Sequence, residues 1–284
     1  MTSLALSRRY PQKRAFVTGA ASGLGRALCH HLGADGWTVA LADIDATGLQ
    51  TTAEEVRRVG GHPHSVKLDV TDAPAFREAA DAFVADAGGV DLVINNAGIG
   101  AGGAFADTSL EDWQRVLSVN LMGVVHGCRA FLPALRENGG HLMNVSSLAA
   151  AASGPYMAPY NVSKAGVQAL SETLYGELRE HDIHVCVLLP PFFATNIDEN
   201  LRGSAAMQAM TQRLMERSGL NAETIARHAL REAGRDRIHI LYSDWTSRFV
   251  WYFRRAAPGR YVRTLPGRAE QVRSFVERRS ASTG

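Results

Sequence analysis

The strongest constraint on what this chain can fold into is an alternation. Short apolar or β-branched runs at 14–18, 38–42, 65–68, 92–95, 141–145 and 185–189 are separated by stretches with helical periodicity at 23–34, 46–59, 73–87, 110–136 and 161–180. A helix at 222–233 then leads to a candidate seventh strand at 237–242. Consecutive antiparallel strands need only a tight turn, whereas a helix-length crossover makes neighbouring strands parallel. The pattern predicts an α/β fold, a doubly wound parallel sheet with helices on both faces and right-handed crossovers. It accounts for residues 1–243 as one domain and leaves 244–284 as an extension.

The turn after the first strand reads Thr18-Gly19-Ala20-Ala21-Ser22-Gly23-Leu24-Gly25. Glycines between a strand and a helix permit a tight turn and let backbone approach a pyrophosphate, which meets free N–H groups at the helix start. The spacing is Gly-x3-Gly-x-Gly, and three glycines alone would read equally as a plain turn; the strand–loop–helix context favours a phosphate cradle. Its expected contacts are Gly19, Ala21, Ser22, Gly23, Leu24 and Gly25. Asp43 closes the second strand about 20 residues past Gly23, where an acid bonds the adenosine ribose hydroxyls. A carboxylate there repels a 2′-phosphate, and neither Ser22 nor Ile44 is basic, so NAD is expected over NADP.

Tyr160 and Lys164 are four residues apart, a spacing that puts both side chains on one helix face. A free tyrosine, with a pKa of about 10, is a poor base at neutral pH, and a neighbouring ammonium favours the phenolate. Such a pair could move an alcohol proton while hydride leaves the carbon. Ser147, just past the fifth strand, could hold the substrate oxygen.

With these residues in this order the chain resembles the short-chain dehydrogenase/reductase family, in its single-domain branch. The resemblance runs from about residue 13 to 241. It rests on Thr18-Gly19-x3-Gly23-Leu24-Gly25, Asp69-Val70, Asn95-Asn96-Ala97-Gly98, Asn120, Ser147 and Tyr160-Asn161-Val162-Ser163-Lys164. It implies a Rossmann-type fold and an oxidoreductase acting on CH–OH groups. Tyr160 would be the acid/base, Lys164 would lower its pKa and bond the nicotinamide ribose, Ser147 would bond the substrate oxygen, and Asn120 would support a proton relay. Asp69 and Val70 would border the adenine, and Asn95, Ala97 and Gly98 would line the cofactor trough. After the sixth strand the family usually has Pro-Gly, and this chain has Pro190-Pro191-Phe192-Phe193-Ala194-Thr195; Pro191 lacks an N–H and fixes φ. Pro190, Phe192 and Thr195 are still expected along the nicotinamide. The resemblance also implies a homodimer or homotetramer built on helices 110–136 and 161–180.

Ile197, Leu201, Met207, Met210, Leu214 and Met215 suggest either an apolar substrate pocket or a buried helix face. Tyr156 and Met157 would form another wall of that pocket, and 100–105 a flexible edge. The extension alternates arginines with Trp245, Phe249, Trp251, Tyr252 and Phe253. Docking of these aromatics on the domain is favoured over contact with anionic lipid, because no sustained helical pattern crosses Pro258, Gly259, Pro266 and Gly267. The net charge of +2 predicts no general attraction to nucleic acid. Cys29, Cys128 and Cys186 fit neither a disulfide framework nor a zinc spacing and read as reduced core residues. His30/His31 and His62/His64 lack the helix motif of a metal site, and none is expected. Without an apparent secretory signal or an uninterrupted apolar run of membrane-spanning length, the expectation is a cytoplasmic enzyme taking a small-molecule alcohol or carbonyl. An NADP-linked carbonyl reductase and a cofactor-binding regulatory protein are the alternatives.

Overall fold

The computed structural model describes residues 4–193, 218–242 and 244–281. After a short N-terminal helix α1 (Ala5–Arg9) the chain runs β1 (Arg14–Thr18), α2 (Gly23–Ala34), β2 (Thr38–Asp43), α3 (Ala46–Arg58), β3 (His62–Lys67), α4 (Ala73–Ala87) and β4 (Leu92–Asn95). The second half runs α5 (Leu110–Leu117), a π-helical turn (Ser118–Met122), α6 (Gly123–Asn138), β5 (Gly140–Val145), α7 (Ala149–Ala152), α8 (Ala158–Glu177) and β6 (Ile183–Leu189). Then come α9 (Ala222–Ala233), β7 (His239–Leu241), α10 (Trp245–Ala256), α11 (Pro258–Val262) and α12 (Leu265–Ala281). The seven strands are all parallel, in the order β3-β2-β1-β4-β5-β6-β7. The expected doubly wound sheet is the one observed.

Both faces of the sheet are covered, so central strands carry near-continuous apolar runs. On β1, Ala15 and Val17 face the core that includes Leu28 and Leu32 of α2 and Ala229 of α9. Phe16 faces the other way, with its ring 4.7 Å from Phe131 and 6.0 Å from Phe76. Fully burying such a ring contributes about 2–3 kcal/mol. β3 starts three residues before the expected run, at His62, and admits Pro63; it is an edge strand, where a missing N–H breaks no ladder.

Leu110–Asn138 is the one helical stretch among the described residues long and apolar enough to cross a membrane by length and composition. It packs on α4, α8 and β4, which accounts for its apolar face. The sequence reading looked for an uninterrupted run and so passed over it.

The extension forms three helices, contrary to the irregular reading. Pro258 and Pro266 fall in first turns, where the missing N–H has no intrahelical partner to lose. Only some of its aromatics dock on the domain as expected, and Trp245, Phe249 and Tyr252 stay exposed. Trp251 packs on Val187, Leu189 and Ala151, and the fully buried Tyr261 donates its hydroxyl to the Ala152 carbonyl at 2.8 Å.

Candidate active site

The functional residues gather at the C-terminal ends of β1, β4 and β5, where open α/β sheets form a crevice at the switch in strand order. Gly19 has φ +67°, a left-handed conformation that glycine adopts without strain. Gly25 packs so tightly that a Cβ there would lie 1.9 Å from the Gly19 carbonyl oxygen. These two contacts fold the loop against the start of α2.

Ser22 stands at the N-cap of α2 without a side-chain cap bond, and the first turn carries no acid. By contrast α3, α4, α5, α9 and α10 are each capped by an Asp, Ser or Asn side chain. Orphan N–H groups and the positive end of the helix dipole make the start of α2 suited to a phosphate. The residues present therefore fit a dinucleotide. Not every loop residue is open to one. The Ala21 N–H donates to Asp43 Oδ2 at 3.0 Å, and Leu24 is buried. The other oxygen of Asp43 accepts from the Asp45 N–H at 3.1 Å, which fixes the carboxylate at the end of β2 with lone pairs to spare. Ile44 beside it is exposed.

Thr18 and Asn96 were not among the expected site residues, yet they join β1 to the chain after β4. The Thr18 hydroxyl accepts from the N–H groups of Asn96 (2.9 Å) and Ala97 (3.0 Å), and Asn96 Nδ2 donates to the Thr18 carbonyl at 2.9 Å. Both stood in the quoted motifs; the clue was polar side chains at two adjacent strand ends. The Asn95 side chain turns into the core, where it is buried and donates to Asn144 Oδ1 at 2.9 Å. Asp69 is exposed and accepts from the Thr71 N–H and hydroxyl, while Val70 packs over Gly123 at the start of α6.

Asn120 is fully buried in the π-helical turn. Its Oδ1 accepts from the Ile99 N–H at 2.8 Å, and its Nδ2 donates to the Ile99 carbonyl at 3.0 Å and to Ser163 Oγ at 3.2 Å. π-turns inside α-helices recur at functional sites because they re-aim a side chain. Here the turn clamps the β4 loop to α8.

On α8, Tyr160 and Lys164 lie on one face, with the Lys164 ammonium 5.9 Å from the centre of the Tyr160 ring. Lys164 is buried and donates to the Val145 carbonyl at 2.9 Å, and no carboxylate among the described residues pairs with it. Burial pulls its pKa down to about 8. Burial also pushes the Tyr160 phenol above its ordinary value, with a hydrogen bond from Ser147 pulling the other way. The spacing predicts that the ammonium sets this pKa; instead burial dominates, and the effect opposing it comes from Ser147. Gly98 completes the group: a Cβ there would sit 3.3 Å from both Lys164 Nζ and Asn120 Oδ1. Ser147 is half-buried, while its neighbour Ser146 is buried and bonded to the Lys164 carbonyl at 2.7 Å.

A cavity of about 580 Å³ opens beside this group, between the β4 loop, α5, the segment before Tyr160, and α12. Tyr156 and Pro159 line it; Met157 does not, and instead stands at the N-terminus of α8. Tyr156 holds φ +64° and accepts the Gly103 N–H at 2.8 Å, so a strained residue ties two walls together. Arg273, Val276 and Glu277 of the extension form the far wall. Pro190 accepts the Leu148 N–H at 2.9 Å, fastening the loop after β6 to that after β5, and Phe192 is exposed. Thr195 and the methionine-rich stretch 197–215 lie outside the described residues.

His30, His31 and Glu223 bring ligand-type atoms within 4.8 Å of one another, with His31 Nε2 2.9 Å from Glu223. The contact joins α2 to α9. The sequence spacing could not reveal it, because Glu223 is remote along the chain.

The short chain dehydrogenase family model matches residues 13–206, more than half the chain. This chain belongs to the short-chain dehydrogenase family. It is 42% identical over 183 residues to "Probable oxidoreductase EphD" of Mycobacterium tuberculosis, covering 64% of this chain and 31% of that protein. The chain thus spans about a third of the length of that relative. It is 35% identical over 206 residues to 3beta-hydroxysteroid dehydrogenase 1 of Eggerthella lenta, covering 72% and 79%. Among solved structures, a short-chain dehydrogenase/reductase from Burkholderia phymatum in complex with NAD superposes with a TM-score of 0.81 at 34% identity, covering 86% and 93%. That neighbour, solved with NAD, shares the Rossmann-type parallel sheet described above.

Proposed function

We propose that this chain is an NAD-preferring dehydrogenase or reductase that interconverts an apolar alcohol with its carbonyl, using Tyr160, Lys164, Ser147 and Asn120. The observation that carries this reading is a buried lysine that pairs with no described carboxylate, its ammonium 5.9 Å from the centre of the Tyr160 ring on the same helix face. In the oxidative direction Ser147 holds the substrate oxygen and Tyr160, as phenolate, takes its proton. NAD, when bound, supplies the hydride acceptor. Lys164, with a pKa near 8, keeps most of its charge at neutral pH and favours the phenolate. A positioned acid/base of this kind contributes about 10²–10⁴-fold. Asn120 acts through Ile99 and Ser163, holding the β4 loop and α8 in register.

NAD preference rests on the Asp43 carboxylate, held by two backbone N–H groups where a 2′-phosphate would approach. An apolar substrate is supported by Ile99, Ala101, Val116, Pro159 and Val276 along the cavity, and the Eggerthella relative is by its name a hydroxysteroid enzyme. Assembly as a homodimer or homotetramer through α5–α6 and α8 is supported by exposed Met122 and Val162 on those helices. A cytoplasmic location suits the three buried, unpaired cysteines.

The test is nicotinamide absorbance during turnover of a panel of sterol, aryl and long-chain alcohols, with NAD and with NADP. NAD-dependent turnover that disappears in Tyr160→Phe is the expected result. Preference for NADP would overturn the reading of Asp43. Undiminished turnover in Tyr160→Phe would overturn the acid/base assignment.

A further inference from the structure

Helix α10 has two apolar faces. Ser247, Val250 and Trp251 are buried against the domain. On the opposite side Trp245, Phe249 and Tyr252, spaced i, i+4, i+7, are 80%, 49% and 58% exposed. The Trp245 and Phe249 rings stack at 6.4 Å, so the three residues form one stripe along the outside of the helix. A surface helix ordinarily turns charge outward on the side away from its core. This one turns aromatics outward, and Phe249 stacks on Phe253 at 5.3 Å, extending the patch.

The charge around the stripe is mainly positive. Residues 244–284 hold nine arginines against Asp244, Glu270 and Glu277, so the extension carries +6 and the rest of the chain −4. Arg248 on the flank of the stripe, Arg260 on α11 and Arg263 just after it are exposed, and no described carboxylate pairs with any of them. Acidic partners are present elsewhere: Arg273 pairs with Glu270, and Arg255 approaches Glu172 at 3.7 Å. Trp and Tyr bury an apolar body while keeping a polar tip wet, which suits the boundary between acyl chains and headgroups. Clustered arginines are drawn to an anionic leaflet, and the attraction fades with salt. An aromatic face rimmed by arginines combines both attractions.

We propose that α10 is a docking surface for an anionic lipid bilayer, with Trp245, Phe249 and Tyr252 seated at the interface and Arg248, Arg260 and Arg263 on the headgroups. It would hold the enzyme on the surface without spanning it. This inference stands on the extension alone and does not depend on the cofactor or substrate assigned above.

The full chain is sedimented with vesicles of phosphatidylcholine containing about 30% phosphatidylglycerol, and with phosphatidylcholine alone. The expected result is binding to the anionic vesicles, weakened at least tenfold at high salt or without phosphatidylglycerol. The variant Trp245→Ser/Phe249→Ser/Tyr252→Ser alters only exposed side chains and should lose at least tenfold in vesicle binding. Its circular dichroism and melting temperature should be unchanged. Arg248→Gln/Arg260→Gln/Arg263→Gln should lose mainly the salt-sensitive part. Failure of the wild type to sediment, or undiminished sedimentation of the aromatic variant, would overturn the proposal. So would a drop in oligomeric mass of the aromatic variant with vesicle binding intact, which would assign the stripe to a second copy of this chain.

Discussion

Two polar clusters lie near the ends of β4 and β5, and they are built on opposite principles. The rear cluster, packed between the sheet and helices α6 and α8, is Asn95, Asn144, Ser171 and Cys128, which turn inward on one another. Asn144 Oδ1 accepts from Asn95 at 2.9 Å, Asn144 Nδ2 donates to Ser171 Oγ at 3.0 Å, and Ser171 donates to the Val167 carbonyl at 2.7 Å. Only the Asn95 carbonyl oxygen lacks a partner there. The front cluster sits nearer the start of α8: Lys164 bonds the Val145 carbonyl 5.9 Å from the centre of the Tyr160 ring, and Ser147 and Tyr160 are half-buried, Tyr160 being next along the chain to Pro159 at the cavity wall. The rear cluster spends its hydrogen bonds on holding helices to strands. The front cluster keeps a hydroxyl pair and an ammonium available, and burial moves the pKa of both Tyr160 and Lys164. Satisfied networks rigidify; perturbed titrating groups in a cleft mark chemistry.

The comparison breaks if the two clusters respond alike to mutation. The largest effect is expected at the front. Tyr160→Phe should lower kcat/KM by about 10⁴-fold, or about 5 kcal/mol, with the melting temperature within about 2 °C of wild type. Lys164→Met should lower it by about 10³-fold. At the rear, Asn144→Ala removes the 2.9 Å acceptor of Asn95 and the 3.0 Å donor to Ser171 from a buried site, leaving Asn95 only Cys128 Sγ and Ser171 only the Val167 carbonyl. It should cost about 3–4 kcal/mol of stability while the remaining folded enzyme keeps its kcat within about twofold. Chemical denaturation and active-site titration of the same samples separate the two outcomes. Asn120→Ala tests the link between them. Asn120 bonds Ile99 twice and Ser163 once, so its loss should lower kcat about 100-fold and stability by about 2 kcal/mol together. A purely catalytic effect there would mean that Asn120 holds no structure.

The front cluster was legible in the sequence because its parts are local. Tyr160 and Lys164 share a helix face by spacing alone, and Ser147 follows the end of β5. The parallel sense of the strands followed from helix-length crossovers in the same way. The rear cluster was not legible, since Asn95, Asn144 and Ser171 come from three elements and meet only when the sheet is assembled. The place of Asn95 in the strand-end motif is visible in the sequence, but the direction of its side chain is not. The helical extension was missed because Pro258 and Pro266 read as breakers until their first-turn positions are known. The raised phenol pKa of Tyr160 was also hidden, because spacing reports a neighbouring charge but not the desolvation that opposes it.

The smallest effect sharpens the comparison most, because it has opposite signs for activity and stability. Lys164 ionises with a pKa of about 8 in the folded protein, against an ordinary value of 10.5, because it is buried. Between those two values the unfolded chain holds more protons than the folded one, so stability rises with pH across that window. Below pH 8 the full cost of burying the ammonium is present, about 3 kcal/mol at the usual conversion. Lys164→Met removes that cost and also the hydrogen bond to the Val145 carbonyl, worth about 1 kcal/mol. The variant should therefore be more stable than wild type by about 2 kcal/mol at pH 7, although nearly inactive. The advantage should shrink as pH rises from 8 toward 10, because the wild-type lysine is then neutral when folded and is losing its proton when unfolded. Thermal melts of both proteins at pH 7, 8, 9 and 10 measure it. A constant difference across that range would mean that Lys164 is not desolvated, and the contrast between a structural rear and a chemically poised front would then rest on Tyr160 alone.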